Sequence, residues 1–270
     1  MKIQVRHATT YTYDNPGAYL VQRMYLTPRN TPAQKVLDWH IEAPGMETAL
    51  RYIDAFGNEA HLVTPPAELA EVSIVATGHI ETTDTAGVLG QDSCMVPVQA
   101  FLAVTEPTKP NAEIRALAKS HESLSGVEQL HAVSASILDK VAYALGTTNE
   151  HTSAADAIRD GQGVCQDHAH IFISAARLLG VPARYVSGYM VVGENELAEA
   201  SHAWAEAWVP VLGWVGFDVS NQVSPGDRYV RVATGMDVNG ATPVKGVRRG
   251  FATGLEHMHV EVLVEQVADQ

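Results

Sequence analysis

Cysteine is scarce in this sequence: two residues in 270, Cys94 and Cys165, with no C-x-x-C pair. That excludes a disulfide-stapled fold and makes a thiolate zinc site unexpected, so each thiol is judged by its own surroundings. Positive charge is scarce as well. Against 31 Asp and Glu stand 18 Lys and Arg, a formal net charge of −13. Such a surface argues against nucleic acid or anionic lipid held by bulk electrostatics. Arg248 and Arg249 form the one local basic pair, and two solvated surface arginines are its plain reading. No apolar run approaches the ~20 residues of a membrane helix. The opening stretch MKIQVRHATTYTY alternates in polarity and carries no apolar signal-peptide segment. The expectation is a chain that begins at or near Met1 and acts in the cytoplasm, without nucleic acid or membrane as partner. No G-x-G-x-x-G, P-loop or EF-hand loop occurs, so no nucleotide or calcium is expected, and no cofactor is assigned. What remains is ordinary globular composition, 46% hydrophobic and 18% charged.

Two halves are legible. Residues 1–81 read as strands. Ile3, Val5, His7, Thr9 and Tyr11 share one side of a period-2 pattern. Runs follow at 19–26, 36–41, 49–53, 59–63 and 72–81, with 49–53 and 59–63 joined as a hairpin through DAFGN. Strands at this spacing predict a small antiparallel sandwich or barrel. Residues 82–110 hold no clear period; 82–90 reads as loop, and 95–104 is ambiguous between strand and short helix. After Pro110 the period becomes helical. Ile114, Leu117 and Ala118 mark a first helix, and a stripe from Val127 through Leu130, His131, Ser134, Ile137 and Leu138 to Val141 marks a longer one ended by Gly146. A capping box at Ser153 and Asp156 starts a short helix to Arg159. A further helix runs from about Cys165 to Leu179, and three strands follow at 183–192, 201–209 and 214–219. The tail is rich in glycine and proline up to Gly254 and ends in a strand at 257–267. The expected organisation is α+β: a β-rich domain over 1–100, then helices packed on an antiparallel sheet over 101–270, with a C-terminal strand extension.

The chemistry begins at GQGVCQD. Cys165 stands where a glycine loop turns into a helix, whose N-terminus carries partial positive charge and unpaired N–H groups. That setting favours a thiolate and offers donors to an oxyanion on an attacked carbonyl. A nucleophilic thiol needs a base, and the base an orienter. His202 and Asp218 lie on consecutive strands that can place an imidazole beside a carboxylate. The order Cys, His, Asp alone is weakly specific.

The four blocks GVCQDHA, RLLGVPAR, HAWAE and GWVGFD add specificity. In these blocks the chain resembles the transglutaminase-like superfamily of papain-type cysteine enzymes, over about residues 110–221. Residues 1–81, with HATTYTYDNP and DAFGN, also resemble the β-rich N-terminal domain of its bacterial members. The resemblance implies a papain-like core, with Cys165 as nucleophile, His202 as general base and acid, and Asp218 as orienter. It implies a peptide or protein amide as substrate, through a thioester that water or an amine resolves; hydrolysis is the preferred outcome. A non-catalytic binding module of the same fold and an acyltransferase to an amine are the rivals. There are departures. His168 stands where many members have an aromatic residue. Gly235 to Gly246 replaces a G-R-D-Y-x-D-V-x-P-x-x-G stretch, without its Arg and Tyr. Asp218 is followed by Val219 rather than Pro.

Other residues carry competing readings. Gln162 is an oxyanion candidate through its amide, although a loop glutamine is usually solvated. Gly163, Asp167 and Trp204 are cleft candidates. An acid in a helix's first turn is favoured by the dipole in any case, so a structural role for Asp167 is preferred. His168 and His170 are two apart on a helix and point apart, which makes a zinc pair unexpected; His257 and His259 share a strand face but lack an obvious third ligand. No metal is assigned, Cys94 reads as a structural thiol, and nothing bears on oligomeric state.

Overall fold

Strand β1 (Lys2–Tyr13) sets the plan of the molecule. The computed structural model describes residues 1–14, 19–67, 69–149, 151–193, 201–249 and 255–267. The alternation in β1 buries Ile3, Val5, His7, Thr9, Tyr11 and Tyr13 on one face. That single face has two partners. Ile3 and Val5 belong to the large core beneath the helices, whereas Tyr11 and Tyr13 belong to the core of a β-sandwich. Where the two meet, buried His7 shares a hydrogen bond of 2.8 Å with Tyr189 of the second half.

The sandwich continues with β2 (Tyr19–Thr27), β3 (Gln34–Glu42), β4 (Leu50–Ile53), β5 (Glu59–Val63) and β6 (Glu71–Thr82). Next come β7 (Val88–Gly90), α1 (Ala112–Ser120), α2 (Gly126–Leu138), β8 (Ala142–Tyr143), α3 (Ala154–Asp160), β9 (Gln162–Gly163) and α4 (Cys165–Leu178). The chain ends with β10 (Ala183–Met190), β11 (Ser201–Val209), β12 (Gly213–Phe217), β13 (Tyr229–Gly235), α5 (Val238–Ala241), β14 (Val244–Arg249) and β15 (Glu256–Gln266). One sandwich sheet has the order β15-β1-β6-β3 and the other β14-β2-β5-β4. The last two strands thus return to complete the sheets that the first strands begin. Among the described residues no helix is long and apolar enough to cross a membrane.

The second half packs helices against an antiparallel sheet. Its sheet, β13-β10-β11-β12-β7, is antiparallel at every pairing. Helix α4 is buried from Asp167 to Arg177, because the sheet covers one side and α1, α2 and α3 cover the other. A helix enclosed on all sides must be apolar or hydrogen-bonded all round: Ile171, Phe172, Ile173, Ala175 and Ala176 are apolar, and buried Arg177 donates to the carbonyls of Phe101, Ala183 and Met236 and to the Thr108 hydroxyl. Two amides from the sandwich hold the exposed edge of β13. Asn58 donates to the Thr234 carbonyl and accepts from its N–H, at 2.7 and 2.8 Å. Gln34 does the same with Arg231, at 2.8 Å both ways. Side-chain amides that mimic a neighbouring strand close an edge which would otherwise invite pairing.

Several details differ from the sequence reading. Residues 88–90 are not loop but the outer strand of the core sheet. The 95–104 stretch contains a 3₁₀ turn at Val98–Leu102. Helix α2 ends at Leu138, well before Gly146, and Val133 rather than His131 completes its buried face. The 222–249 region, read only as a glycine- and proline-rich tail, forms β13, α5 and β14.

Candidate active site

The start of α4 is built by its loop. β9 pairs in parallel with β8, Gln162 against Ala142 and Gly163 against Tyr143. This fixes the backbone so that the helix begins at Cys165. Its N-cap residue is Val164, which has no side-chain acceptor. The carboxylate of Asp167 folds back instead: Oδ2 accepts from the Val164 N–H at 2.9 Å and from the Thr148 hydroxyl at 2.7 Å. Residue 163 must be glycine for this, since a Cβ there would sit 2.8 Å from the Asp167 Cβ. Burial pushes the Asp167 carboxyl up, against those two hydrogen bonds. The first N–H groups of α4 have no partner within the helix.

His202 and Asp218 come from β11 and from the end of β12. Beyond Phe217 the chain turns back, with Asp218 and Val223 exchanging backbone hydrogen bonds. Asp218, 1% exposed, therefore meets the His202 ring, with Nε2 donating to Oδ2 at 2.7 Å. The same oxygen accepts from Asn221 Nδ2 and from the Tyr229 hydroxyl, each at 2.7 Å. With Nε2 committed to the carboxylate, Nδ1 is the nitrogen left for the thiol. The Cys165 side chain is within hydrogen-bonding reach of the ring. Burial alone would lower the His202 pKa, but the carboxylate and the thiol outweigh it and hold it at about 10. Asp218 is pulled the opposite way, below the usual carboxylate range. Burial would raise it, yet the imidazole, Asn221 and Tyr229 prevail.

Cys165, His202 and Ser201 open onto a cleft of about 690 Å³. The second thiol is in a different setting. Cys94 is half-buried, its sulfur faces the carbonyls of Ala55 and Val96 at 3.8 and 3.9 Å, and burial pushes it up.

The family follows from two matches and one relative. A family model described as "Transglutaminase-like superfamily" matches residues 113–219, and "Bacterial transglutaminase-like N-terminal region" matches residues 3–81. An uncharacterized protein of Mycobacterium leprae is 32% identical over 285 residues, covering 99% of both chains. The chain belongs to the transglutaminase-like superfamily. The crystal structure of "a Putative Cysteine Protease from Cytophaga hutchinsonii" superposes with a TM-score of 0.76 at 25% identity, covering all of this chain and 92% of that one. A protein-glutamine gamma-glutamyltransferase of Pseudomonas aeruginosa is 36% identical over 70 residues, which is 23% of this chain and 10% of that protein.

Within this transglutaminase-like fold the candidates divide. Cys165, His202 and Asp218 are brought together. Gln162 is exposed in its two-residue strand and does not line the cleft; Gln166 does. Asp167 and Gly163 shape the helix start from behind. Trp204 is buried and also lies outside the cleft wall. It stacks beside His202 with centroids 6.4 Å apart and packs edge-on to Tyr229 at 5.5 Å. Glu206 of the HAWAE block is buried and pairs with Arg184 of the VPAR block at 2.7 Å, so those two motifs meet in structure rather than in chemistry. His168 and His170 are both fully buried. His168 donates to the Val141 carbonyl at 2.9 Å and accepts from Ser220 at 2.8 Å, two residues beyond Asp218. His170 accepts from the Val238 N–H at 3.2 Å, which anchors α5. His257 and His259 are exposed on β15. No group of three or more metal-ligating side chains occurs among the described residues.

The sequence did not disclose Ser220, Asn221 and Tyr229, because their roles depend on a turn and a strand register. Nor did it disclose that the divergent Gly235–Gly246 stretch lines the cleft through α5. Gly188 lies opposite His202 in the β10–β11 register. A Cβ there would stand 2.7 Å from the Trp204 ring and collide with the Val230 carbonyl. Gly188→Ala is therefore expected to cost about 1–3 kcal/mol of stability by overpacking, read as a lower Tm. It is also expected to slow alkylation of Cys165, because the displaced indole carries the His202 ring with it.

Proposed function

We propose that the protein is a cysteine amidase that cleaves a peptide or glutamine carboxamide through a thioester on Cys165. The observation that carries this reading is the line Asp218–His202–Cys165 opening onto the cleft. The thiolate attacks the carbonyl carbon, and the N–H groups at the start of α4 receive the oxyanion. The His202 imidazolium gives its proton to the departing amine or ammonia, and the C–N bond breaks as the C–S bond is kept. Water then attacks the thioester, His202 takes its proton, and the acid leaves as the thiol is restored. Asp218 keeps one tautomer in place and stabilises the imidazolium. The Cytophaga neighbour's description favours hydrolysis. The gamma-glutamyltransferase relative favours a second reading, in which a primary amine replaces water in the last step. No side chain of the line is lost, which weighs against a non-catalytic module.

The test is mass spectrometry of the protein after exposure to a glutamine-containing peptide library. An acyl group on Cys165, followed by release of the acid, supports the proposal. Transfer of the acyl group to added amine in preference to water selects the second reading, and absence of any adduct rejects both.

The pH dependence has a defined sign. The His202 pKa is raised from 6.5 to about 10 on folding. Its pairing therefore stabilises the fold fully below the unfolded value and loses that effect as pH rises through about 10. Thermal stability is expected to decline on that alkaline side, with turnover falling in parallel as the leaving group loses its proton donor. Tm and initial rates measured from pH 6 upward check this; a turnover that keeps rising at pH 11 would contradict it.

A further inference from the structure

The cleft does not stop at the papain-like core. It runs on into the open edge of the sandwich, where Tyr11 and Tyr13 of β1 face Leu20 and Gln22 of β2, with Lys245 and Arg248 of β14 at the rim. The two tyrosine rings lie parallel with centroids 6.4 Å apart, and the Arg248 guanidinium lies over Tyr13 at 4.7 Å. Gln22 is 1% exposed, yet its Oε1 has no hydrogen-bond partner. A buried amide oxygen without a donor is costly unless something else supplies one.

The charge here departs from that of the whole molecule. In a chain of net charge −13, the described residues that line this end of the cleft include two cations, Lys245 and Arg248, and one carboxylate, Glu256. Glu256 and Arg248 act on the same tyrosine: burial pushes the Tyr13 hydroxyl up to about 12, with Glu256 adding to the rise and Arg248 opposing it. Lys245 is the second cation at this end of the cleft. It donates to the neutral amide oxygen of Asn239 at 3.3 Å and has no carboxylate partner among the described residues. Lys245 is exposed on β14, so its ammonium presents positive charge in the cleft that also holds Cys165.

We propose that the sandwich mouth is the subsite for the part of the substrate beyond the scissile amide, and that it takes an extended peptide bearing a carboxylate. The inference rests on Cys165 being the nucleophile. An extended peptide supplies N–H donors for Gln22, an apolar body for the tyrosine pair, and an anion for Lys245. The carboxylate is that of an acidic side chain or of the chain terminus. The β-rich half is thus a wall of the active site rather than an appendage.

N-chloroacetyl peptides test this, since the Cys165 thiolate displaces chloride and records how well the rest of the probe fits. Four probes of one length suffice: glutamate with an amidated terminus, glutamine with a free terminal carboxylate, glutamine with an amidated terminus, and lysine with an amidated terminus. A probe with a carboxylate is expected to alkylate at least about tenfold faster than the lysine probe. Whichever of the two carboxylate probes is faster names the source of the anion. Lys245→Glu is expected to abolish or invert the ratio, and Arg248→Gln to reduce it. Lys35→Glu, the same charge change on exposed β3 at the opposite edge, is expected to leave it intact. The ratio is internal to each variant, so a general change in folding or thiol reactivity cancels. Rates equal within about twofold across the four probes, or a preference that survives both Lys245→Glu and Arg248→Gln, overturn the proposal. Iodoacetamide on the wild type separates the two failures. If it does not select Cys165, the nucleophile reading falls; if it does and the peptide ratio is flat, only this inference falls.

Discussion

Cys165→Ala is expected to remove amide turnover, by about 10⁵-fold or more, while leaving the fold in place. The magnitude follows from the covalent route. Without Sγ there is no thioester, and only the oxyanion donors and binding remain, a residue of catalysis that is small where a nucleophile has been removed from a similar unit. The fold is spared because Cys165 is only half-buried at the first position of α4 and the loop before it is fixed by others. Asp167 still caps Val164, and β9 still pairs with β8. Stability is expected to change by less than about 1 kcal/mol. His202 loses one of the two partners that hold its pKa high, so its titration should move down toward the ordinary range. Turnover and Tm on the same preparation check both halves of this expectation. Activity within tenfold of the wild type would show that the sulfur is not the attacking atom.

Asp218→Asn is expected to lower turnover by about 10²–10⁴-fold. The change keeps the shape of the side chain and removes its charge. Oδ2 of Asp218 accepts three hydrogen bonds, from His202, Asn221 and Tyr229. An uncharged amide can still accept from a neighbour, but it no longer favours an imidazolium, and its NH₂ can turn the ring to the wrong tautomer. The His202 titration should fall from about 10, so the alkaline loss of activity should begin at lower pH. Tyr229→Phe removes one donor and leaves the charge, and about a tenfold loss is expected. An Asp218→Asn protein with an unchanged pH profile would show that the carboxylate only packs the turn. The order of the two variants, asparagine far below phenylalanine, separates orientation and charge from simple packing.

Much of this arrangement was legible because the relevant residues are contiguous in sequence. The alternation in β1 revealed its buried face, since one side of a strand that is covered must be apolar or hydrogen-bonded. It could not reveal that Ile3 and Tyr11 on that face belong to different cores. Cys165, His202 and Asp218 were readable from local blocks: a glycine loop before a helix, an alternating strand, a tryptophan strand. Their supports were not. Tyr229 reaches Asp218 through the pairing of β10 with β13. Ser220 and His168 meet only because the chain turns back after β12. β14 escaped notice because most of its residues are exposed, so VKGVRR shows no apolar period. Gln162 looked apt for an oxyanion because it precedes the thiol closely. The two-residue pairing with Ala142 turns that stretch of backbone away and leaves Gln166 at the cleft. Helix α2 was read too long because Val141 continues its spacing, although the chain has already left the helix at Leu138.

The central claim is that the Cys165 sulfur is the nucleophile and that His202 activates it. Site-resolved alkylation by iodoacetamide at pH 6–7 addresses it without any knowledge of the substrate. An unactivated thiol is only about 1% ionised near that pH. Cys94, pushed further up by burial, is a matched internal reference. The expected result is alkylation of Cys165 faster than Cys94 by about tenfold or more, falling to the rate of an ordinary thiol in His202→Ala. Equal, slow labelling of both cysteines in the folded wild type, unchanged by that substitution, would contradict the account.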